Sequence, residues 1–369
     1  MFPLLEYKNH SEKIRLIKEG KLSLKDNVSF FLQRIKENEK LNAFNFVFKD
    51  CLEQCDSIQQ KIIEGTAGKL AGMVVAIKDV LAIKDKPLTC SSKILKDFTA
   101  IYTSTAVRKL IAEDAIIIGK TSCDEFAMGS SNENSAFGPV LNPHDNSRVP
   151  GGSSGGSAVA VAANLCDVAL GTDTGGSIRQ PAAFCGVYGL KPTYGRVSRY
   201  GLTAFASSFD TIGPFANSTD DAALVLEIIA GYDEKDSTSQ NTPVPSFSQN
   251  LSTDKKFRIG IPPECFGQGL NPEVKLAIET EIEKLKSAGH EVDEIQLPHT
   301  DYTIATYYIL TTAEASSNLA RYDGAHYGFR SQNSGDLIGS YTDSRSEALG
   351  KEVQRRIMLG TYVLSAGYY

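Results

Sequence analysis

Lys78 closes the apolar run Val74-Val75-Ala76-Ile77, where an ammonium group is costly unless it has a task. Burial disfavours the charged form, so a lysine in such a run can be neutral near pH 7 and serve as a general base. The plainer reading is a strand-end lysine, solvated or paired with Asp79. Two glycine loops bearing serines lie downstream. The first, Pro150-Gly151-Gly152-Ser153-Ser154-Gly155-Gly156-Ser157-Ala158, runs straight into the Ala/Val stretch ending at Asn164. A loop entering a helix in this way aims backbone N–H groups at an anion. It lacks the Gly-Lys-Ser/Thr ending of a phosphate loop, and its place inside a strand-and-helix region argues against a flexible linker. The second, Gly171-Thr172-Asp173-Thr174-Gly175-Gly176-Ser177-Ile178-Arg179-Gln180-Pro181, reads as strand, glycine turn and helix start. Ser177 would then sit at a helix N-terminus with successive N–H groups behind it, as in an oxyanion hole, or else act as a plain N-cap. Together the three features suggest a serine nucleophile worked by a lysine base.

Two other chemistries compete. Gly151-Gly152-Ser153-Ser154-Gly155 matches the nucleophile elbow of α/β-hydrolases, with His290, His299 or His326 as bases, but Arg148-Val149-Pro150 is a poor strand to precede it. Asp173-Thr174-Gly175 matches an aspartic-protease tripeptide, yet that mechanism needs two coupled aspartates and no second such tripeptide occurs.

The elements that must position these residues follow from periodicity. Short apolar runs, MVVAI (73–77), AIIIG (115–119), DVALG (167–171) and VYGLKP (187–192), alternate with helical segments, one of them near 104–113. That alternation predicts an α/β fold with a largely buried sheet and helices on both faces. Ser23 and Asp26 form an N-cap signature before the one-face pattern Val28, Phe31, Leu32, Ile35. A second helix is expected over 50–64, with Cys51 and Cys55 read as core rather than as metal ligands because no further ligand is placed nearby. Residues 233–255 read as a polar surface loop. After it, FRIGI (257–261), a helix carrying Val274, Ile278, Ile282 and Leu285, and HEVDEIQL (290–297) make a β-α-β unit.

Composition sets the outer limits. A chain of 369 residues suggests about two domains or one large α/β domain. With 41% hydrophobic and 22% charged residues it is neither disordered nor fibrous. A formal charge of -6 lacks the basic footprint of a nucleic-acid binder, so any tRNA would be held elsewhere. Seven scattered cysteines without a CxxC pair point to a reducing cytoplasm. The opening MFPLLEYKNHSEK is not a secretory signal, and 149–166 is too weakly apolar to span a membrane.

The segments GMVVAIKD (72–79), GGSSGGSA (151–158) and GTDTGGSIRQPA (171–182), in this order, resemble the amidase signature family. The resemblance implies that family's fold, a central mixed β-sheet covered by helices on both faces. It also implies a triad of Lys78, Ser153 and Ser177: Ser177 as nucleophile, Ser153 on a cis peptide as bridge, neutral Lys78 as proton acceptor. The backbone N–H groups of Thr174, Gly175, Gly176 and Ser177 would hold the oxyanion, and no metal is required.

Three further stretches, 123–145, 307–324 and 352–369, resemble the amidase-subunit branch of the glutamine-dependent tRNA amidotransferases. This branch implies glutamine as substrate, bound through Tyr307 and Arg356 (with Tyr308 and Arg355 as one-residue alternatives). It implies subunits B and C as partners in a heterotrimer. The partner subunit would use ATP and Mg2+ to convert Glu-tRNA(Gln), and in some cases Asp-tRNA(Asn), while this chain carries no cofactor. A stand-alone amide hydrolase is the alternative within the family, and a non-catalytic scaffold conflicts with the intact triad. The expected organisation is one domain over 1–369, with a helical region 1–70, a signature core 71–220 and a β-α-β and substrate-binding region 255–369. His326 stands where the family has arginine, expected as a surface change. The family's sequence continues past Tyr369 with an acidic residue for the glutamine α-amino group, so the chain reads as C-terminally incomplete.

Overall fold

The computed structural model describes residues 7–251 and 254–365. The first six residues of the opening stretch, positions 252–253 of the expected polar loop and the last four residues of the 352–369 motif lie outside the described residues. The chain divides into two compact units, Met1–Gln249 with Thr311–Tyr369, and Asn250–Leu310. The region 255–369, expected as one piece, is therefore shared between them.

In the first unit, helices α1 (His10–Lys18) and α2 (Leu24–Glu37) precede strand β1 (Phe44–Val47), and α3 (Cys55–Glu64) leads to β2 (Val74–Lys78). Then follow α4 (Thr105–Ala112), β3 (Ile116–Thr121), α5 (Gly155–Ala162), β4 (Val168–Asp173), α6 (Arg179–Cys185), β5 (Tyr188–Gly189), β6 (Thr211–Ala216) and α7 (Thr219–Ile229). The six strands form one sheet in the order β1-β3-β2-β4-β6-β5. Its centre, β3-β2-β4, is parallel, while β1, β6 and β5 pair antiparallel, so the expected mixed sheet is observed.

Alternation along the strands divides the core in two. Val74, Ala76, Ile116, Ile118, Ala169 and Phe215 pack with residues of α1, α2, α3, α5 and α6 on one face. Val75, Ile77, Ile117, Leu170 and Ile212 pack with α4 and α7 on the other. Continuous apolar runs suit strands buried on both faces, and this is why 73–77 and 115–119 were legible as strands. Ser23 caps α2 by accepting from the Asp26 N–H, as its spacing predicts. Cys51 and Cys55 lie in the first core cluster. The helix expected over 50–64 begins as a 3-10 segment, Lys49–Gln54, and becomes α-helical only at Cys55.

In the second unit β7 (Arg258–Ile261) and β8 (Glu291–Glu294) pair in parallel around α8 (Pro272–Ser287), the expected β-α-β unit. Helix α9 (Thr303–Asn318) starts there and ends in the first unit, which also holds α10 (Leu337–Ala348) and α11 (Lys351–Val363). Among the described residues no helix is long and apolar enough to cross a membrane.

Candidate active site

The parallel strands β2, β3 and β4 bring their carboxyl ends to one edge of the sheet, where open α/β sheets bind ligands. Lys78 is the last residue of β2 and is fully buried. It does not pair with Asp79. That carboxylate meets Lys120 at 3.0 Å, with both side chains fully buried, and accepts the Asn45 side-chain N–H at 3.0 Å.

The Lys78 Nζ instead contacts three hydroxyls: Ser153 Oγ at 2.7 Å, Ser154 Oγ at 2.8 Å and Thr172 Oγ1 at 2.8 Å. Ser154 spends its own proton on the Thr172 carbonyl at 3.1 Å, so toward Nζ it acts as acceptor. A neutral amine has two protons and one lone pair. Donating to Ser154 and Thr172 leaves the lone pair for the Ser153 hydroxyl. Burial lowers the Lys78 pKa, opposed by the fields of Cys123, Asp124, Asp210 and Asp173, and among the described residues no carboxylate forms an ion pair with it. A lysine surrounded by hydroxyls in a dry site can act as a base.

Ser153 and Ser154 are held by the entry into α5, which is buried along its length apart from its last residue. The Gly152-Ser153 peptide is cis, as the resemblance implies. A Cβ at Gly152 would lie 2.1 Å from Asp124 Oδ2, and one at Gly156 would lie 2.4 Å from the Ser122 carbonyl. Only glycine permits the loop and helix to approach the sheet this closely. The N–H groups expected to await an anion here are partly occupied, since Gly156 N–H donates to Asn132 Oδ1 at 3.2 Å.

The loop after β4 departs from expectation in one respect. Helix α6 starts at Arg179, two residues beyond Ser177. The cause is Asp173, fully buried, which accepts N–H groups from Gly176 (2.8 Å), Ile178 (3.1 Å) and Arg179 (3.3 Å) and pairs with the Arg179 guanidinium at 3.0 Å. Burial alone would raise its pKa, but Arg179 and these N–H groups hold the Asp173 carboxyl below the usual range. The Gly176 N–H is thereby turned away from the oxyanion position, which corrects the expected set of four donors. Thr174, Gly175 and Ser177 keep N–H groups without a hydrogen-bond partner among the described residues. The Ser177 side chain is half-buried, and among the described residues nothing hydrogen-bonds its hydroxyl, so the Ser153–Ser177 link of the expected triad is not made in this structure.

Histidine chemistry finds no support at Ser153. The loop before it is not a strand, so the elbow fails. His326 is exposed and bound to Asp323 at 2.7 Å, and His290 accepts the Phe257 N–H within the second unit.

The arginine alternatives separate by burial. Arg355 is exposed and pairs with Glu352 at 3.0 Å. Arg356 is buried, pairs with Glu352 at 2.9 Å and lies over the Phe205 ring at 5.5 Å. Tyr307 lies on α9 within the second unit, half-buried, with its ring 5.2 Å from that of Tyr308. Ser154, Thr172 and Asp173 were quoted in the motifs but not assigned roles. Their signal was adjacency to the triad, and their partners depend on strand register.

The sequence model of the amidase family matches residues 26–369. The A subunit of glutamyl-tRNA(Gln) amidotransferase from Chlorobium luteolum is 59% identical over 344 residues, which is 92% of this chain and 71% of that protein. The chain belongs to the amidase family, in its amidotransferase A-subunit branch. The crystal structure of the corresponding A subunit from Thermotoga maritima superimposes on this amidase with a TM-score of 0.74 at 38% identity, covering 100% of this chain and 74% of that one. The peptide amidase of Stenotrophomonas maltophilia gives a TM-score of 0.84 at 31% identity, covering 98% and 76%. The likeness read from GMVVAIKD, GGSSGGSA and GTDTGGSIRQPA is thus borne out, and the lysine-centred hydroxyl cluster lies on those amidase motifs.

Proposed function

We propose that this chain hydrolyses the side-chain amide of glutamine and passes the ammonia to a partner subunit that amidates Glu-tRNA(Gln), and in some systems Asp-tRNA(Asn). The observation that carries the reading is the buried Lys78 amine with Ser153 as the hydroxyl that faces its lone pair. As Ser177 Oγ attacks the amide carbonyl, its proton moves to Ser153 Oγ while the Ser153 proton moves to Nζ. The tetrahedral oxyanion is held by the N–H groups of Thr174, Gly175 and Ser177. The C–N bond then breaks as Lys78, through Ser153, returns a proton to the leaving nitrogen. Ammonia departs, and water hydrolyses the acyl ester on Ser177 by the same relay run again.

Arg356 suits the substrate α-carboxylate because a guanidinium fork matches a carboxylate, with Tyr307 as a second contact. The naming of the relatives supports a complex with subunits B and C, in which the partner uses ATP and Mg2+ and holds the tRNA. Cysteine usage supports a cytoplasmic setting. The test is reconstitution with candidate partner subunits, amide-labelled glutamine and Glu-tRNA(Gln). Label in Gln-tRNA(Gln), abolished by Ser177→Ala, is the expected result. Brisk hydrolysis of unrelated amides with no transfer would favour a stand-alone amidase instead.

A further inference from the structure

Asp210 immediately precedes β6 and is almost wholly buried. Its two oxygens serve different segments. Oδ1 accepts the Thr174 hydroxyl at 2.6 Å, and Oδ2 accepts the N–H groups of Phe205 at 2.9 Å and Ala206 at 3.1 Å. Thr174 is one of the three outward N–H donors after β4, and Phe205 is the ring beneath Arg356. The Phe205 carbonyl is held from its other side by the Asn318 amide at 3.2 Å, and the Asp210 N–H returns to the Ala206 carbonyl at 2.9 Å. A single carboxylate therefore connects the strand that would bind the oxyanion to the loop that supports the arginine.

We infer that Asp210 is a positioning residue that couples the oxyanion donors at Thr174 to the Phe205–Arg356 substrate contact, an inference that rests on the amide hydrolysis proposed above. An ionised carboxylate only accepts, so the Thr174 hydroxyl must donate to it, which fixes the Thr174 rotamer and with it the direction of the adjoining peptide. Three charge-assisted bonds from one group make the two segments move together. A simple loop staple would need the Phe205 and Ala206 bonds alone and would not reach across to Thr174.

The test compares Thr174→Val, Thr174→Ser and Asp210→Asn in the full chain, by steady-state glutamine hydrolysis and thermal unfolding. Thr174 is half-buried, so its variants remain folded. Thr174→Val is expected to lower kcat roughly 10- to 100-fold, the loss of one charge-assisted bond, with KM unchanged and with Thr174→Ser restoring the rate. Asp210→Asn keeps the volume but gives up the second acceptor oxygen, and it is expected to lower kcat and raise KM together. Native kcat in Thr174→Val would overturn the coupling, as would Asp210→Asn that loses thermal stability while the folded fraction keeps wild-type kcat and KM. Glutamine hydrolysis surviving in Ser177→Ala would instead overturn the underlying reaction, so the two failures are told apart.

Discussion

Asp79 and Lys120 form a fully buried ion pair at 3.0 Å, one residue away from a lysine that has only hydroxyl partners. The Lys120 ammonium also donates to the Leu81 carbonyl at 2.8 Å. By engaging Asp79, Lys120 keeps a carboxylate from holding Lys78 in its charged form.

Lys120→Met leaves a buried carboxylate without its cation. Breaking a buried pair from one side costs about 3–5 kcal/mol, and the remaining donors, Asn45 and Thr89, place the expected loss toward the lower end. Urea unfolding measures it, and a variant as stable as wild type would show that the pair is dispensable.

Glutamine hydrolysis should rise with pH through an apparent pKa below the ordinary lysine value of 10.5, because burial lowers the pKa of Lys78 and the neutral amine is the base. Lys78→Arg fills similar space but cannot give up its proton, so it should be nearly inactive. A pH–rate profile of both proteins decides the point, and an active arginine variant would make Lys78 structural.

Arg356→Ala should raise KM for glutamine by roughly 10- to 100-fold through loss of one charge-assisted contact, while Arg355→Ala should leave it near wild type. The exposed pair of Arg355 with Glu352 contributes little. Equal effects from the two substitutions would remove Arg356 from the substrate contact.

Glu125 is buried against Ser92, accepts the Gly350 N–H at the start of α11 at 2.8 Å, and burial pushes its carboxyl up to about 7. The folded state thus favours the neutral acid. Its contribution is complete below the ordinary value near 4.5 and is lost as pH rises through about 7, an effect of roughly 3 kcal/mol. Glu125→Gln keeps an oxygen for Gly350 and removes the charge. Its melting temperature should exceed that of wild type at pH 8 and converge with it near pH 5, and a difference independent of pH would refute the account.

Local pattern determined much of this protein. The run 73–77 reads as a strand because continuous apolar residues suit a sheet covered on both faces. Gly152 and Gly156, flanking the serine pair, advertise a close approach of backbones by residue type alone. Lys78, Ser153 and Ser177 stand out because their neighbours make them costly. Strand β6, TIGPFA, escaped notice because Gly213 and Pro214 argue against a strand when seen in isolation, and it is held by pairing with β4. The choice of Lys120 over Lys78 for Asp79, the Ser154 and Thr172 contacts of Nζ, and the reach of Asp210 to both Thr174 and Phe205 were decided only by tertiary structure. So was the burial of Arg356 while Arg355 stays in solvent. Most of these contacts join residues far apart in the chain, and their geometry follows from the register of β2, β3 and β4 and from the packing of α5 and α11. No local spacing encodes which of two adjacent polar side chains that packing will face inward.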